Sequence, residues 1–354
     1  MGLDYGRSGQ VITGLLGVLV CAGITGAQVG AIGVVFHEFL GISRELGIYI
    51  GCGIVIAYTT IGGMRAIVLT DVIQFLLLGI ALPLALFLGL RMVGGVSGLQ
   101  ETLPPAHFAV FGENMPPLML GSLFLSFCVG ETLVPPYMQR LLIGRNPRET
   151  SEGTLYSGLF SIPFFAITGM IGLVALALAP DLNPNQAMPF VIKTVLPVGL
   201  RGLAVAGVVS IVMSSADSFL NAASVSLIND VVTPLRKSAL SEKRGLIVAK
   251  ITTLAVGVLA VVFAMRIENI LDILLFSYNF WAPVVLVPLL AVLMGYKAST
   301  KTFLVGALCG LTSLILWRWV LGDPGGVDGL VIGVGANLVA FAGMHRIDRS
   351  APVE

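Results

Sequence analysis

Long apolar runs, separated by short polar or proline- and glycine-containing breaks, dominate the sequence. Because a helix rises about 1.5 Å per residue, about 20 apolar residues cross the roughly 30 Å hydrocarbon core of a bilayer. The pattern therefore predicts an all-α polytopic membrane protein with ten spans, of which the second is short for a full crossing. The spans cover approximately residues 11–36, 46–61, 67–93, 117–138, 154–179, 203–231, 245–265, 270–295, 302–321 and 327–344.

The sixth apolar run carries polar residues along one face. Five of them are spaced by four, three, four and three positions, which keeps them in one narrow helical stripe: Ser210, Ser214, Asp217, Asn221 and Ser224. Asp217 would lie near mid-depth, where a carboxylate costs about 3 kcal/mol and is tolerated facing a protein interior or a wet cavity. The hydroxyls could instead mediate close helix packing, with Asp217 paired to a neighbour. An Asp and an Asn on one face favour a solute or ion pathway.

Composition agrees with a membrane protein. The 354 residues are 56% hydrophobic and 11% charged, and the mean hydropathy is +0.97, whereas soluble domains carry about 25% charged residues. A net charge of +1 offers no field for nucleic acid. The four cysteines lie in apolar segments without metal-ligand or redox spacing, and the three histidines lie in separate regions. Since no catalytic cluster or phosphate-binding glycine loop occurs, an enzyme is disfavoured.

The distribution of positive charge predicts the orientation. With the N-terminus in the cytoplasm, thirteen of the 20 Lys and Arg residues fall on the inner side, as the positive-inside rule requires. Both termini are then cytoplasmic, and the predicted location is a cell membrane, either plasma or inner.

Three further segments contain candidate functional residues. The fourth run contains Glu131 followed by Pro135-Pro136, so the helix is predicted to break there, as transporter helices do around a binding site, although a proline kink without function is an alternative. Asp71 opens the third span and could be a helix cap. Tyr278, beside an Asn and a Trp, could contact a solute or serve in packing.

Four motifs occur in the order found in a known family. Residues 57–74 read AYTTIGGMRAIVLTDVIQ and resemble the hallmark of the sodium:solute symporter family, which includes bacterial proline and galactose symporters. Residues 136–140, 213–218 and 276–281 resemble motifs at the family's seventh, ninth and eleventh helices. Four motifs in register, across residues 57 to 281, identify the chain as a member of this family.

The resemblance implies a leucine-transporter-like fold, in which two inverted repeats with broken helices surround a midplane site. It implies a sodium site at the Ser214 and Ser215 hydroxyls and the Ile211 carbonyl, neutral oxygens that suit a weakly held monovalent cation. It also links Asp71 to sodium movement. We assign Glu131 to the substrate side from its place at the helix break; this glutamate is not a family signature.

The first span matches the family's fourth helix, so the expected architecture is a truncated inverted repeat. We expect residues 1–297 to form the transporter core with eight helices, and residues 298–354 to add two helices and a cytoplasmic tail. The predicted function is sodium-coupled symport of a small organic solute by alternating access, with Na⁺ as coupling ion and no cofactor. The missing helices would be supplied in cis or by a partner chain. The alternative is a transport-incompetent or partner-dependent relative that binds or senses a solute.

Overall fold

The computed structural model describes residues 1–112, 115–142, 144–236 and 241–350, with side chains except at 61–71, 242, 349 and 350. The described chain is a bundle of α-helices with short helical connectors. The helices are α1 (Gly2–Leu40), α2 (Arg44–Met92), α3 (Gly95–Thr102), α4 (Pro117–Glu131), α5 (Pro135–Leu142), α6 (Pro147–Leu178), α7 (Ala187–Val195), α8 (Val198–Ser226), α9 (Thr233–Leu235), α10 (Glu242–Arg266), α11 (Ile270–Tyr278), α12 (Val287–Leu293), α13 (Thr300–Ile315) and α14 (Gly329–Ser350).

Three π-helical segments extend or join these helices. Leu227–Val232 links α8 to α9, Ala282–Leu286 leads into α12, and Leu316–Val320 extends α13. The segment between α6 and α8 contains the short helix α7.

Eight stretches in the described part of the chain are long and apolar enough to cross a membrane, and α4 with α5 would add a ninth as one bent span. The sequence predicts ten. The difference lies in α2, which is assigned as one helix of 49 residues where the sequence predicts two spans joined by a turn. As a straight rod this helix would measure about 73 Å.

The contacts of α2 show that its two ends lie at the same end of the bundle. Arg44 donates from Nη2 to the Ala264 carbonyl, 2.9 Å away, at the end of α10. A Cβ at Gly89 would lie 3.6 Å from Val191 of α7. The ion pair between Lys193 and Glu38, 2.9 Å, brings the end of α1 to α7 as well. Residues 44–60 and 72–92 therefore run in opposite directions. Although α2 is assigned as one helix, it consists of two antiparallel segments, as the two predicted spans require.

The central element is α1. In its most apolar stretch of 18 residues 78% is buried, whereas in the corresponding stretch of α6 only 17% is buried. Helix α1 packs against α2, α8, α10 and α11. Close approach depends on small residues: a Cβ at Gly26 would lie 2.9 Å from the Ala260 carbonyl oxygen of α10. Membrane helices pack in this way because lipid supplies no hydrophobic driving force between them. One core cluster surrounds α1, α8 and α11, and a second joins α2, α6 and α7 to α8.

The last two long helices, α13 and α14, pack on the start of α1. The Tyr5 ring stacks on Phe303 at 5.2 Å between ring centroids, and its hydroxyl donates to the Pro288 carbonyl at 2.9 Å. Asp348 accepts a hydrogen bond from Thr302 at 2.6 Å. Tyr5 and Asp348 therefore lie at one end of the bundle, opposite α7. The boundary at residue 297 between a core and two added helices stays a prediction.

Candidate functional site

The fourth predicted span breaks where the sequence predicts. Helix α4 ends at Glu131 and α5 begins at Pro135, with a 54° bend between them. Leu133 occupies the break with a φ of 59°, a left-handed conformation that is rare for a bulky residue. Pro135 and Pro136 cannot donate backbone hydrogen bonds, and Thr132 donates its hydroxyl back to the Cys128 carbonyl. Glu131 therefore lies at the end of α4 beside the break, where it is half-buried.

Glu131 and Tyr278, both sequence candidates, lie together. A Cβ at Gly130 would lie 2.6 Å from the Tyr278 ring, so the aromatic ring rests directly on the α4 backbone. The Tyr278 side chain is 1% exposed, packs edge-on against Phe127 at 5.9 Å, and interacts electrostatically with Glu131. A second phenol, Tyr137, donates a hydrogen bond to Glu131 Oε1. The carboxylate is thus held between two tyrosines.

The sequence pattern does not mark Tyr137 or Ser126 as candidate site residues. Tyr137 lies inside the motif at residues 136–140, six positions after Glu131 across the helix break, and that spacing was the available signal. Ser126 lies in an apolar helix with no pattern to mark it. Its hydroxyl is buried and has no hydrogen-bond partner among the described residues.

A second interruption lies beside the first. Helix α11 ends at Tyr278, and Asn279, Phe280 and Trp281 form a turn before the π-helical segment. Pro283 at the start of that segment cannot donate a backbone hydrogen bond, which removes one helical bond there. Both side-chain atoms of Asn279 and the Trp281 N–H are buried and have no partner within the described residues. Since buried polar groups are normally satisfied, these atoms indicate a place for a polar ligand or ordered water.

The polar stripe of α8 divides between two neighbours. Asp217 is fully buried and accepts from Ser218 at 3.4 Å; Ser218 in turn accepts from Arg140 of α5 at 2.8 Å. Ser224 faces α10, where its hydroxyl lies 3.1 Å from that of Thr253. The part of the stripe around Asp217 therefore faces α5, which follows the α4–α5 break. The part around Ser224 packs against α10.

The other predicted residues have varied surroundings. Ser214 is buried, and Ser215 and Ile211 are half-buried; all three lie within about one turn of α8, so the Ile211 carbonyl and the two hydroxyls can face the same side. Asn221 is half-buried one turn after Asp217. The backbone of Asp71 lies in α2, but its side chain is outside the described residues.

A groove leads to this region from the α5–α6 side. Its volume is about 710 Å³, and it is lined by Tyr137 and Arg140 on one wall and by hydroxyl residues of α6, including Thr154 and Ser157, on the other. Polar groups along an otherwise apolar helix suit a path for a polar solute better than a lipid-facing surface.

The sequence model of the sodium:solute symporter family matches residues 5–311. The chain belongs to the sodium:solute symporter family. Human sodium/glucose cotransporter 4 is 27% identical over 357 residues, covering 86% of this chain and 49% of the relative. The sodium/sialic acid symporter SiaT of Proteus mirabilis is 29% identical over 240 residues, covering 63% and 48%. The proline transporter PutP of Bacillus subtilis is 25% identical over 310 residues, covering 80% and 62%.

A solved structure has the same fold. It is a Na⁺-coupled sialic acid symporter in a substrate-bound, outward-open state with a novel Na⁺ site, and it superposes with a TM-score of 0.77 at 21% identity over all of this chain and 77% of its own. The expected family and transporter fold are confirmed, and the family members are transporters and not enzymes. The chain spans about half the length of the first two of these curated relatives.

Proposed function

We propose that residues 1–354 form the greater part of a sodium-coupled symporter that moves a small organic solute by alternating access. The observation that carries the proposal is the meeting of two interrupted helices, at Glu131 and at Tyr278, beside the buried Asp217 of α8. Broken helices at membrane depth free backbone and side-chain groups where they line a cavity, and this arrangement suits a polar solute that must bind and leave.

The solute is proposed to bind beside the two breaks, where the groove from the α5–α6 side reaches Tyr137. Glu131 supplies a carboxylate held by Tyr137, and the hydroxyl of Ser126 and the amide of Asn279 supply further hydrogen-bonding groups without partners among the described residues. Tyr278 and Phe127 provide an aromatic wall. A hydroxylated or amine-bearing solute fits this set, because it can satisfy acceptors and donors together.

Sodium is proposed to bind at Ser214, Ser215 and the Ile211 carbonyl. These three neutral oxygens belong to one helix, whereas hard cations are held by about six oxygens. We propose that the remaining ligands come from helices outside residues 1–354, in cis or on a partner chain. Asp71, Asp217 and Asn221 are proposed to couple sodium binding to movement. Asp217 and Asn221 lie on the polar side of α8, and Asp71 lies in the family's sodium-linked motif.

The proposed location is a cell membrane, plasma or inner, with both termini in the cytoplasm. Tyr5 and Asp348 lie at the same end of the bundle, which an even number of crossings requires. The excess of Lys and Arg predicted at that end supports its cytoplasmic side.

The proposal is tested by reconstituting residues 1–354 in liposomes with and without the family's upstream helices, and by measuring uptake of labelled proline, glucose and sialic acid. We expect sodium-driven uptake of one class when the helices are present and none from the chain alone. Solute binding without uptake under both conditions would favour a transport-incompetent, solute-sensing relative. Gradient-driven uptake by the chain alone would contradict the proposed completion of the sodium site.

A further inference from the structure

Helix α14 supplies a hydrogen-bonding side chain to the second interrupted helix. Asn337 of α14 is fully buried. Its Nδ2 donates to the Pro283 carbonyl at 2.7 Å and to the Val284 carbonyl at 3.2 Å. Both carbonyls belong to the π-helical segment Ala282–Leu286, which directly follows the turn at residues 279–281. One side chain of α14 is therefore bonded to the backbone beside the break that ends α11.

Pro288 explains why these two carbonyls accept a hydrogen bond from a side chain. The carbonyl of residue 284 would accept from the N–H of residue 288 in an α-helix, and the carbonyl of residue 283 would accept from the same N–H in a π-helix. Residue 288 is a proline, which has no N–H. Buried carbonyls are almost always paired, and an asparagine amide carries two N–H donors. The Asn337 amide therefore replaces the donor that Pro288 lacks.

Glycines on both C-terminal helices bring Asn337 and this segment into contact. A Cβ at Gly310 of α13 would lie 2.1 Å from the Pro283 carbonyl oxygen, and a Cβ at Gly306 would lie 2.7 Å from Asn337 Oδ1. A Cβ at Gly333 of α14 would lie 3.0 Å from the Pro283 Cβ. These approaches leave no room for larger residues, so the position of the break depends on α13 and α14.

Helix α14 is also attached to the first interrupted helix. The N–H of Asp328, directly before α14, donates to Ser122 Oγ of α4 at 2.7 Å, and Ser122 is buried. Helix α14 thus touches α4, which ends at Glu131, as well as the π-helical segment after α11. Its position therefore helps to fix the two breaks relative to each other.

We propose that Asn337 is a positioning residue for solute binding. It acts through the Pro283 and Val284 carbonyls to hold the turn at residues 279–281, and with this turn the Asn279 amide of the proposed solute site. The role in solute binding rests on the proposed function; the hold on the turn does not. Residues 298–354 then do more than add two helices to a core, because one of their side chains sets the geometry of the site.

The first test measures the rate of labelling by N-ethylmaleimide of one cysteine in the complete protein, with all other cysteines replaced by alanine. The reporter is either Ala282→Cys, at a fully buried position next to the turn, or the native Cys52, buried between α2 and α10. Asn337→Leu keeps a branched side chain but has no donor. We expect it to speed labelling at position 282 about tenfold, because the turn opens more often, and to leave Cys52 unchanged. Gly335→Ala on the same helix, where a Cβ meets nothing within 4 Å, should change neither rate.

Restoring the backbone donor distinguishes the two hydrogen bonds from packing alone. Pro288→Ala supplies an N–H at residue 288, so in this background Asn337→Leu should speed labelling at position 282 by no more than about twofold. Asn337→Ala, which is smaller and also has no donor, provides the same comparison if Asn337→Leu yields no folded protein. Acceleration at position 282 that Pro288→Ala does not reduce, equal acceleration at Cys52, or none at either position would overturn the proposal.

Uptake of labelled proline, glucose and sialic acid by the same variants in proteoliposomes tests the link between the turn and the solute. For the compound that the parent takes up, we expect Asn337→Leu to raise the half-saturating solute concentration about tenfold and Pro288→Ala to reverse most of that change. Unchanged half-saturation together with faster labelling at position 282 would contradict the positioning role and leave the proposed function standing. No sodium-driven uptake of any compound by the parent would contradict the proposed function, and the labelling would then decide whether Asn337 holds the turn.

Discussion

The Tyr278 ring lies so close to the backbone of Gly130 that a Cβ at position 130 would be 2.6 Å from the ring. The two residues belong to different interrupted helices, and this contact fixes the distance between the breaks. It places Glu131, the next residue, beside the Tyr278 hydroxyl. The geometry of the candidate solute site therefore depends on a residue that has no side chain.

Replacing Gly130 by alanine should push the two breaks apart. We expect Gly130→Ala to lower the free energy of unfolding by about 1–3 kcal/mol, because the added methyl overlaps a buried ring. The control is Gly121→Ala on the same helix, where a Cβ meets nothing within 4 Å and helix propensity improves. Thermal unfolding in detergent measures both variants, and equal stability of the two would show that the Tyr278 contact is not tight.

Removing the Tyr137 hydroxyl should weaken solute binding. Tyr137→Phe leaves the ring in place but removes the donor to Glu131, so we expect about tenfold lower solute affinity, equivalent to about 1.4 kcal/mol. Tyr156→Phe on α6, whose parent side chain is 66% exposed, should have no effect. Equilibrium binding of the transported solute checks the difference. Unchanged affinity in Tyr137→Phe would remove the Glu131–Tyr137 pair from the site.

The loop before α14 should make stability depend on pH. Burial, and next the nearby Asp328 charge, raise the pKa of Asp323 above its ordinary value. The folded state then holds a proton that the unfolded state releases, so stability falls as pH rises from the ordinary pKa of Asp through the raised one. Comparing melting temperatures of the parent and Asp323→Asn across acidic pH measures this effect. The variant should lack this component, and a parallel pH dependence in both would contradict it.

Membrane topology should follow the reversal of α2. With ten crossings and a cytoplasmic N-terminus, cysteines introduced at Ser8 and Asn185 should react from opposite sides of the membrane, and one at Ser238 should react from the side of Ser8. Ser238 lies outside the described residues. A reagent that cannot cross membranes, applied to right-side-out and inverted vesicles, measures this. Labelling of Ser8→Cys and Asn185→Cys from one side would mean that residues 44–92 cross only once.

The sequence predicted features that depend on local chemistry. Pro135 and Pro136 predicted the break because proline removes backbone donors wherever it lies, and the periodic polar residues predicted a polar face on α8. Contacts between distant residues could not be derived in this way. Nothing near Ser224 in the sequence says that it bonds to Thr253 of α10 while Asp217 turns toward α5, because that division depends on which helices pack on each side of α8. The contact of Tyr278 with Gly130 is long-range for the same reason.

The central claim is that the Ser214 helix holds the coupling sodium ion. It is tested most directly by the sodium dependence of solute uptake in proteoliposomes containing the complete protein, with Ser214→Ala or Ser215→Ala compared with Ser210→Ala one turn earlier. Losing a buried neutral ligand costs about 1–3 kcal/mol. We therefore expect each of the first two variants to raise the sodium concentration for half-maximal uptake by about fivefold or more, and Ser210→Ala to leave it unchanged. An unchanged sodium dependence in both Ser214→Ala and Ser215→Ala would contradict the account.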